Sequence, residues 1–279
     1  MYMNKKHLLH SLIAGIIGLT LSFTASADLA SVKSKGILKV AVYNDFAPFS
    51  NGRTNTQGID VDIAEALAKK LGVKLSLLPF DAGENLNDDL RNMVWKGHYL
   101  GYGPADVMLH VPIDPLLTNA NKQVTFFAPY YRESVLLAID TKRVPDFSNL
   151  KDLVGKKLCA AKGEAGANVF FVTDNGSLTK YVRIMNTAQE CADLMIKGEV
   201  DVIAARRAEL EASLSKHSSA QLVPVESPIL PPKGWIVGMG IKADRPDLGE
   251  ALAVALDQMR RSGELDDIFK KHSVKFVSP

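Results

Sequence analysis

The segment GYGPADVMLHVPID, residues 101–114, determines how the rest of the chain is interpreted. Residues 106–109 have the length of a buried β-strand, and Pro112 cannot donate a hydrogen bond to a central sheet. We therefore expect the chain to leave the sheet near His110. Because ligands of open α/β sheets bind beyond the carboxyl ends of the strands, His110 is a candidate site residue by its position.

Strand-like apolar runs alternate with helical patterns on both sides of this segment, which is typical of α/β proteins. Residues 60–71 predict a helix in which Ile63, Leu67 and Leu71 share one face, and Gly72 ends it. Residues 86–96 predict a second helix of the same kind.

The alternation restarts after a polar break at residues 141–149, so we predict two α/β lobes. Lobe 1 is expected to comprise residues 28–141 and 237–279, and lobe 2 residues 142–236. The chain then passes between the lobes twice. Two crossings imply a hinge and a cleft between the lobes, which can hold a small molecule or a peptide segment.

Residues 1–27 have the pattern of a secretory signal peptide, in which Lys5 and Lys6 precede an apolar core at residues 8–23 and small residues at 25–27 form a cleavage site. A membrane anchor is the alternative. The core is short and interrupted by polar residues, however, whereas a spanning helix needs about 20 mostly apolar residues. We therefore expect a periplasmic protein without membrane insertion after cleavage. The residue directly after the cleavage site is Asp28 and not a cysteine, which argues against lipid attachment.

Charge is balanced in the predicted mature chain. Without Lys5 and Lys6, its basic residues equal its 31 acidic residues in number. Nucleic-acid-binding proteins normally carry a net basic face, so we expect no nucleic-acid partner. We expect a monomer and no cofactor.

The two cysteines, Cys159 and Cys191, lie 32 positions apart and have no histidine near them in the sequence. Export places them in an oxidising compartment, so we predict a structural disulfide, with two buried free thiols as the alternative. Their spacing is not that of a zinc site or a redox motif. His98 and His110 also lack the spacing of a metal-binding pair, and no metal site is predicted.

Five motifs in order resemble the bacterial extracellular solute-binding proteins of family 3, the amino-acid receptors with the two-lobed type II periplasmic binding protein fold. The motifs are residues 38–42, residues 46–49 (FAPF), residues 58–64 (GIDVDIA), residues 126–130 (FFAPY) and residues 198–201 (GEVD). This resemblance covers the whole mature chain and implies the same fold.

Three departures from that family concern its ligand. The receptors hold the ligand carboxylate with an arginine shortly before FFAPY, but residues 118–123 contain no arginine. Arg206 stands where the family has an aspartate for the ligand ammonium. Glu164, at the start of a helix in lobe 2, would repel an anion. An α-amino acid ligand is therefore not expected.

A subgroup matches more of the chain. Residues 97–106, the HVPID run at 110–114 and residues 129–133 resemble the binding-protein-like accessory proteins of methanol dehydrogenases, which use pyrroloquinoline quinone. This resemblance implies a non-catalytic periplasmic partner of a quinoprotein alcohol dehydrogenase. The alternative is a substrate-binding protein that delivers a non-amino-acid solute to an ABC permease. A second alternative is a periplasmic dehydratase on the same fold, such as cyclohexadienyl dehydratase.

The residues expected to line the cleft come from both predicted lobes. Phe46 matches the position where the receptors stack an aromatic ring on the ligand, although simple loop packing is the alternative. Arg206 is a candidate for holding an acidic group, with a solvated pair formed with Arg207 as the alternative. The full set of candidates is Asn44, Phe46, Met108, His110, Tyr130 and Arg206.

Overall fold

The computed structural model describes residues 27–279 as two β-sheets covered by helices. The predicted signal peptide, residues 1–27, lies outside the described residues except for its last residue. The strands are β1 Ile37–Tyr43, β2 Asp45–Phe46, β3 Ser50–Asn51, β4 Lys74–Phe80, β5 Val107–Pro112, β6 Val124–Glu133, β7 Val135–Asp140, β8 Leu158–Ala161, β9 Val182–Met185, β10 Val202–Arg206, β11 Ala220–Pro224 and β12 Trp235–Lys242.

The helices pack on both faces of the sheets. They are α1 Ala27–Lys35, α2 Ile59–Leu71, α3 Leu86–Leu90, α4 Pro115–Ala120, α5 Ala165–Val172, α6 Ala188–Ile196, α7 Arg207–Leu214, α8 Pro246–Ser262 and α9 Glu264–Lys271. One π-helical turn, Arg91–Trp95, continues α3. Among residues 27–279, no helix has both the length and the apolar character needed to cross a bilayer.

The two sheets form the two predicted lobes, which confirms the α/β fold class. The five-stranded sheet of lobe 1 has the order β4-β1-β5-β12-β6, and that of lobe 2 the order β11-β7-β10-β8-β9. In lobe 1, β1 runs parallel to β4 and β5, while β12 is antiparallel to β5 and β6. Each sheet has an apolar cluster on either face.

Helix α2 forms where the apolar spacing predicts it. Ile63 and Leu67 are fully buried in the lobe 1 core, where each contributes about 1.5–3 kcal/mol through burial. Gly72 takes the left-handed conformation at φ 72°, and its N–H donates to the carbonyl of Lys69. A residue with a Cβ would be strained at this φ, so the glycine ends the helix.

The crossings between the lobes differ from the predicted boundaries. Strand β7 pairs with β10 and β11 and so belongs to lobe 2, which places the first crossing at Ser134. The return strand β12 starts at Trp235. The boundary expected after residue 141 was therefore wrong: the polar residues 141–149 follow β7 within lobe 2, whereas the crossing itself is a single residue between two strands.

Strand β5 does not end at His110, in contrast to the prediction. It continues to Pro112, and β12 pairs with it across a bulge between Gly238 and Gly240. The neighbouring strand β1 pairs with β5 only opposite Val107 and Met108. Pro112 therefore lies beyond the residues that pair with β1. On the β1 side it has no strand partner, so its lack of an N–H costs the sheet no hydrogen bond.

The predicted disulfide is confirmed. Cys159 of β8 and Cys191 of α6 are bonded, with a Cα–Cα distance of 5.7 Å. Thr187 caps the start of helix α6, since its hydroxyl accepts a hydrogen bond from the N–H of Glu190. The bond thus fastens α6 to the sheet of lobe 2 within its core cluster.

Candidate functional site

Side chains from both lobes meet beside the first crossing. Phe46 lies on β2 of lobe 1, and Arg206 is the last residue of β10 in lobe 2. The Arg206 guanidinium carbon lies 4.2 Å from the centre of the Phe46 ring. This contact brings two predicted cleft residues together and identifies the candidate site.

Arg206 is also held by two carboxylates of lobe 2. Its Nη2 donates to Glu209 Oε1 at 2.8 Å and to Glu164 Oε1 at 3.2 Å. The backbone N–H of Arg206 donates to Glu209 Oε2 at 3.2 Å. Burial acts to lower the pKa of Arg206, but the charges of Glu209 and Glu164 outweigh it and raise the pKa. The guanidinium is therefore charged and fixed on two sides.

His110 forms the lobe 1 side together with a buried hydrogen-bonded pair. Tyr130 Oη donates to Asp60 Oδ1 at 2.6 Å and accepts from the backbone N–H of His110 at 2.8 Å. His110 Nδ1 lies 3.2 Å from Asp60 Oδ2 without hydrogen-bond geometry. His110 takes the left-handed conformation at φ 57°. Since few non-glycine residues adopt this conformation, the tyrosine contact holds a strained backbone in place.

An aromatic enclosure surrounds the His110 ring. The ring centres of Phe46 and Phe49 lie 4.7 Å and 4.1 Å from that of His110. The side chain of His110 is 6% exposed, and those of Asp60 and Tyr130 are 1% and 0% exposed. Burial raises the pKa of Tyr130, and the Asp60 charge raises it further. The Tyr130 hydroxyl therefore keeps its proton. It donates to Asp60, and its oxygen accepts the backbone N–H of His110.

Glu133 is a buried acid at the crossing itself. It is the last residue of β6, is 0% exposed, and accepts a hydrogen bond from the N–H of Ser134 at 2.8 Å. Burial raises the pKa of Glu133 to about 8, although the Ser134 N–H and the Arg206 charge act in the opposite direction. At neutral pH the protonated form of this side chain therefore predominates.

Two predicted site residues have other roles. Met108 does not face the cleft, because its side chain is fully buried in the core on the other face of the lobe 1 sheet from Leu109. Strand alternation explains this, since successive side chains point to opposite faces. The Asn44 amide donates to Asp81 Oδ1 at 2.7 Å, and Asn44 is 6% exposed. It therefore supports the loop after β1.

Sequence reasoning missed Asp60, Glu133 and Glu209 as members of this site. Glu209 follows Arg206 by three positions at the start of α7, a spacing at which opposite charges meet on a helix. That spacing was the available signal. Glu133 gives no such signal, because its burial depends on how the lobes pack. Among residues 27–279, no group of three or more histidine, cysteine or acidic residues is arranged to hold a metal ion.

Comparison with known proteins supports a relationship to the solute-binding proteins. Residues 38–93 match the model of the bacterial extracellular solute-binding proteins, family 3. A probable histidine-binding protein of Neisseria gonorrhoeae is 23% identical over 248 residues, which is 86% of this chain and 84% of that protein.

Solved structures show the same fold. An ancestral cationic amino acid solute-binding protein superposes with a TM-score of 0.70 at 21% identity, covering 87% of this chain and 98% of that one. An amino acid ABC transporter substrate-binding protein of Streptococcus pneumoniae, bound to L-arginine, gives 0.62 at 20% identity, with 90% and 100% covered. The chain thus has the type II periplasmic binding protein fold, and these likenesses extend to the fold alone.

Proposed function

We propose that this chain is a non-catalytic, periplasmic solute-binding protein of family 3 that delivers a small solute other than an α-amino acid to an ABC importer. The observation that carries the proposal is the meeting of Phe46 and Arg206 across the two lobes. Proteins of this architecture bind by closing two lobes over a solute at a hinge. The likeness to an amino acid ABC transporter substrate-binding protein and to a probable histidine-binding protein supports the same mode of action.

The charges of the cleft support the exclusion of amino acids. A zwitterionic amino acid brings a carboxylate, which binds best to a guanidinium whose donors are free. The Nη2 group of Arg206 already donates to Glu164 and Glu209, and its guanidinium covers the Phe46 ring. An incoming carboxylate would meet two glutamates at this point. The solute is therefore a compound without an α-carboxylate.

A thermal-shift screen of the purified mature protein tests this function. The panel contains the twenty amino acids and, as a second set, organic cations, alcohols and sugars without an α-carboxylate. A solute at about 100 times its Kd adds about 2.7 kcal/mol of stability, which raises the Tm of a protein of this size by roughly 5–11 °C. We expect such a shift from a member of the second set. A comparable shift with L-histidine or L-arginine would contradict the solute class, and turnover of prephenate would contradict the non-catalytic assignment.

The second candidate is an accessory protein of a quinoprotein alcohol dehydrogenase, and an exposed aromatic loop favours it. Residues 97–104 join the π-helical turn to β5, and Tyr99 and Leu100 are 87% and 68% exposed. The loop is nevertheless ordered. The His98 N–H donates to the Tyr102 carbonyl at 2.8 Å, and the two rings stack with centres 4.2 Å apart. Aromatic side chains held rigidly at a surface are typical of protein interfaces.

A binding assay with a purified quinoprotein alcohol dehydrogenase tests this second candidate. Replacing both Tyr99 and Leu100 with serine should weaken the complex by about tenfold or more, since buried aromatic anchors contribute 2 kcal/mol or more to interfaces. Leu116→Ser is the matched control. Leu116 is also an apolar residue with high exposure, at 80%, but it lies on α4 after β5, whereas the tested loop precedes β5. Equal affinity of the double variant and the control would exclude this loop as the docking surface.

A further inference from the structure

Arg206 makes a contact that a bound ligand would be expected to make. Its guanidinium lies over the ring of Phe46, which belongs to the opposite lobe. Phe46 is half-buried, and the Arg206 side chain is 14% exposed. A planar cation over an aromatic face is attracted by the ring electrons, and this attraction strengthens as water is excluded.

The edge of the same guanidinium meets two carboxylates. Glu209 and Glu164 both accept from Nη2, at 2.8 Å and 3.2 Å. Glu164 stands at the start of α5 and Glu209 in the first turn of α7, so two separate helices of lobe 2 supply these acceptors. A guanidinium can stack its flat face on an aromatic ring while the donors on its edge bind carboxylates, and this site offers both contacts. An ammonium has no flat face to stack.

The charge balance also favours a cation at this position. Two carboxylates, those of Glu164 and Glu209, face one guanidinium. Without the guanidinium, Glu164 and Glu209 would face each other at close range with no counterion. Such a pair is unfavourable in a half-buried position, so an empty site would attract a cation.

We propose that Phe46, Glu164 and Glu209 form a guanidinium site that the chain fills with its own Arg206. The side chain acts as a built-in ligand and holds the two lobes together beside the first crossing when no solute is present. Because Arg206 is tethered, its effective concentration at the site is millimolar or higher, so a free guanidinium compound competes poorly. A solute of the importer must bind beside Arg206 or displace it.

The assignment concerns a side chain of the protein itself and goes beyond the proposed function. It holds whichever solute the cleft binds. Both proposals start from the Phe46–Arg206 contact, but this test uses no transported solute and the solute screen uses no Arg206 variant, so the failure of one is distinguishable from the failure of the other.

Calorimetric titration of Arg206→Ala with n-propylguanidinium, which has the shape of the missing side chain, tests the site. n-Propylammonium serves as the ligand control, having the same charge without the planar group. We expect the variant to bind n-propylguanidinium about tenfold more tightly than n-propylammonium, because only the guanidinium has a flat face to stack on the ring and a planar set of donors for the carboxylates. The wild type should bind neither compound at millimolar concentration.

Arg207→Ala is the matched control variant. Arg207 is the adjacent residue, and its Nε donates to Glu211 at 2.7 Å, outside the guanidinium site. We expect this variant to behave as the wild type does. Equal affinity of Arg206→Ala for the two compounds, or binding of n-propylguanidinium by Arg207→Ala, would overturn the assignment.

Small-angle scattering tests whether the contact holds the lobes together. The radius of gyration of Arg206→Ala should exceed that of the wild type and return toward it with saturating n-propylguanidinium. Phe46→Leu provides a second route should Arg206→Ala fail to fold. It keeps apolar bulk but removes the aromatic face, and it leaves the two carboxylates on Arg206. An unchanged radius in every folded variant of this pair would refute the role of Arg206 between the lobes.

Discussion

Glu133→Gln should make the stability of the protein less dependent on pH. Glu133 is fully buried at the crossing between the lobes, and burial raises the pKa of its carboxyl from the ordinary value of 4.5 to about 8. The unfolded chain loses this proton near pH 4.5, whereas the folded chain keeps it until about pH 8. The substitution keeps the size of the side chain and its carbonyl acceptor for the Ser134 N–H.

Proton linkage gives the direction in which the stability of the wild type changes with pH. The folded state binds more protons than the unfolded state between the two pKa values, so the wild type loses stability as pH rises through this window. The loss is about 1.4 kcal/mol per pH unit and reaches about 5 kcal/mol near pH 8, since the shift is about 3.5 pH units. Below pH 4.5 this contribution is fully present, and above pH 8 nothing further is lost.

Urea denaturation of the wild type and Glu133→Gln at pH 5, 6, 7 and 8 measures the effect. The unfolding free energy of Glu133→Gln minus that of the wild type should increase by about 1.4 kcal/mol for each unit by which the pH rises. Glu65→Gln is the control, because it removes the same kind of carboxyl from an exposed position on α2. A constant difference for Glu133→Gln would show that the buried carboxylate is ionised in the folded protein and would refute the reasoning.

Three further predictions concern stability. Reducing the Cys159–Cys191 bond should lower the free energy of unfolding by about 3–4 kcal/mol, because it closes a loop with a sequence separation of 32. Melting with and without reductant measures this, and two titratable thiols in the unfolded, unreduced protein would rule the bond out. Tyr130→Phe should cost about 1–3 kcal/mol in urea denaturation, because the buried Asp60 carboxylate loses a donor at 2.6 Å; an unchanged midpoint would contradict this. Gly166→Ala should cost about 1–3 kcal/mol, because its Cβ would lie 2.1 Å from a backbone oxygen of β10. An equal or higher Tm would show that α5 can move away.

Helices and strands with a regular apolar spacing were predictable from the sequence. Helix α2 and the long helix α8 have such a spacing, and their buried residues pack on the lobe 1 sheet. Local periodicity indicates which face of an element is apolar, and an apolar face must be covered. The architecture of two α/β lobes therefore followed from local patterns.

The details that depend on pairing between distant strands were not predictable. The extension of β5 to Pro112 depends on β1 ending its pairing at Met108, and the crossing at Ser134 depends on β7 joining the second sheet. Met108 was expected to line the cleft, but alternation along the strand places it in the core. The order of strands in a sheet depends on contacts between distant segments. The spacing of residues within one segment gives no information about those contacts.

The cleft shows why a shared fold does not transfer a ligand. A binding protein that closes on an amino acid needs a free aromatic face or a free pair of donors, together with a counter-charge for each end of the zwitterion. Here the Phe46 face is covered by Arg206, whose Nη2 is already engaged by two glutamates. A single side chain at the end of β10 accounts for this arrangement, because Arg206 of lobe 2 reaches the Phe46 ring of lobe 1. If the proposed function is right, removing this one guanidinium should alter binding more than any change in the surrounding sheet.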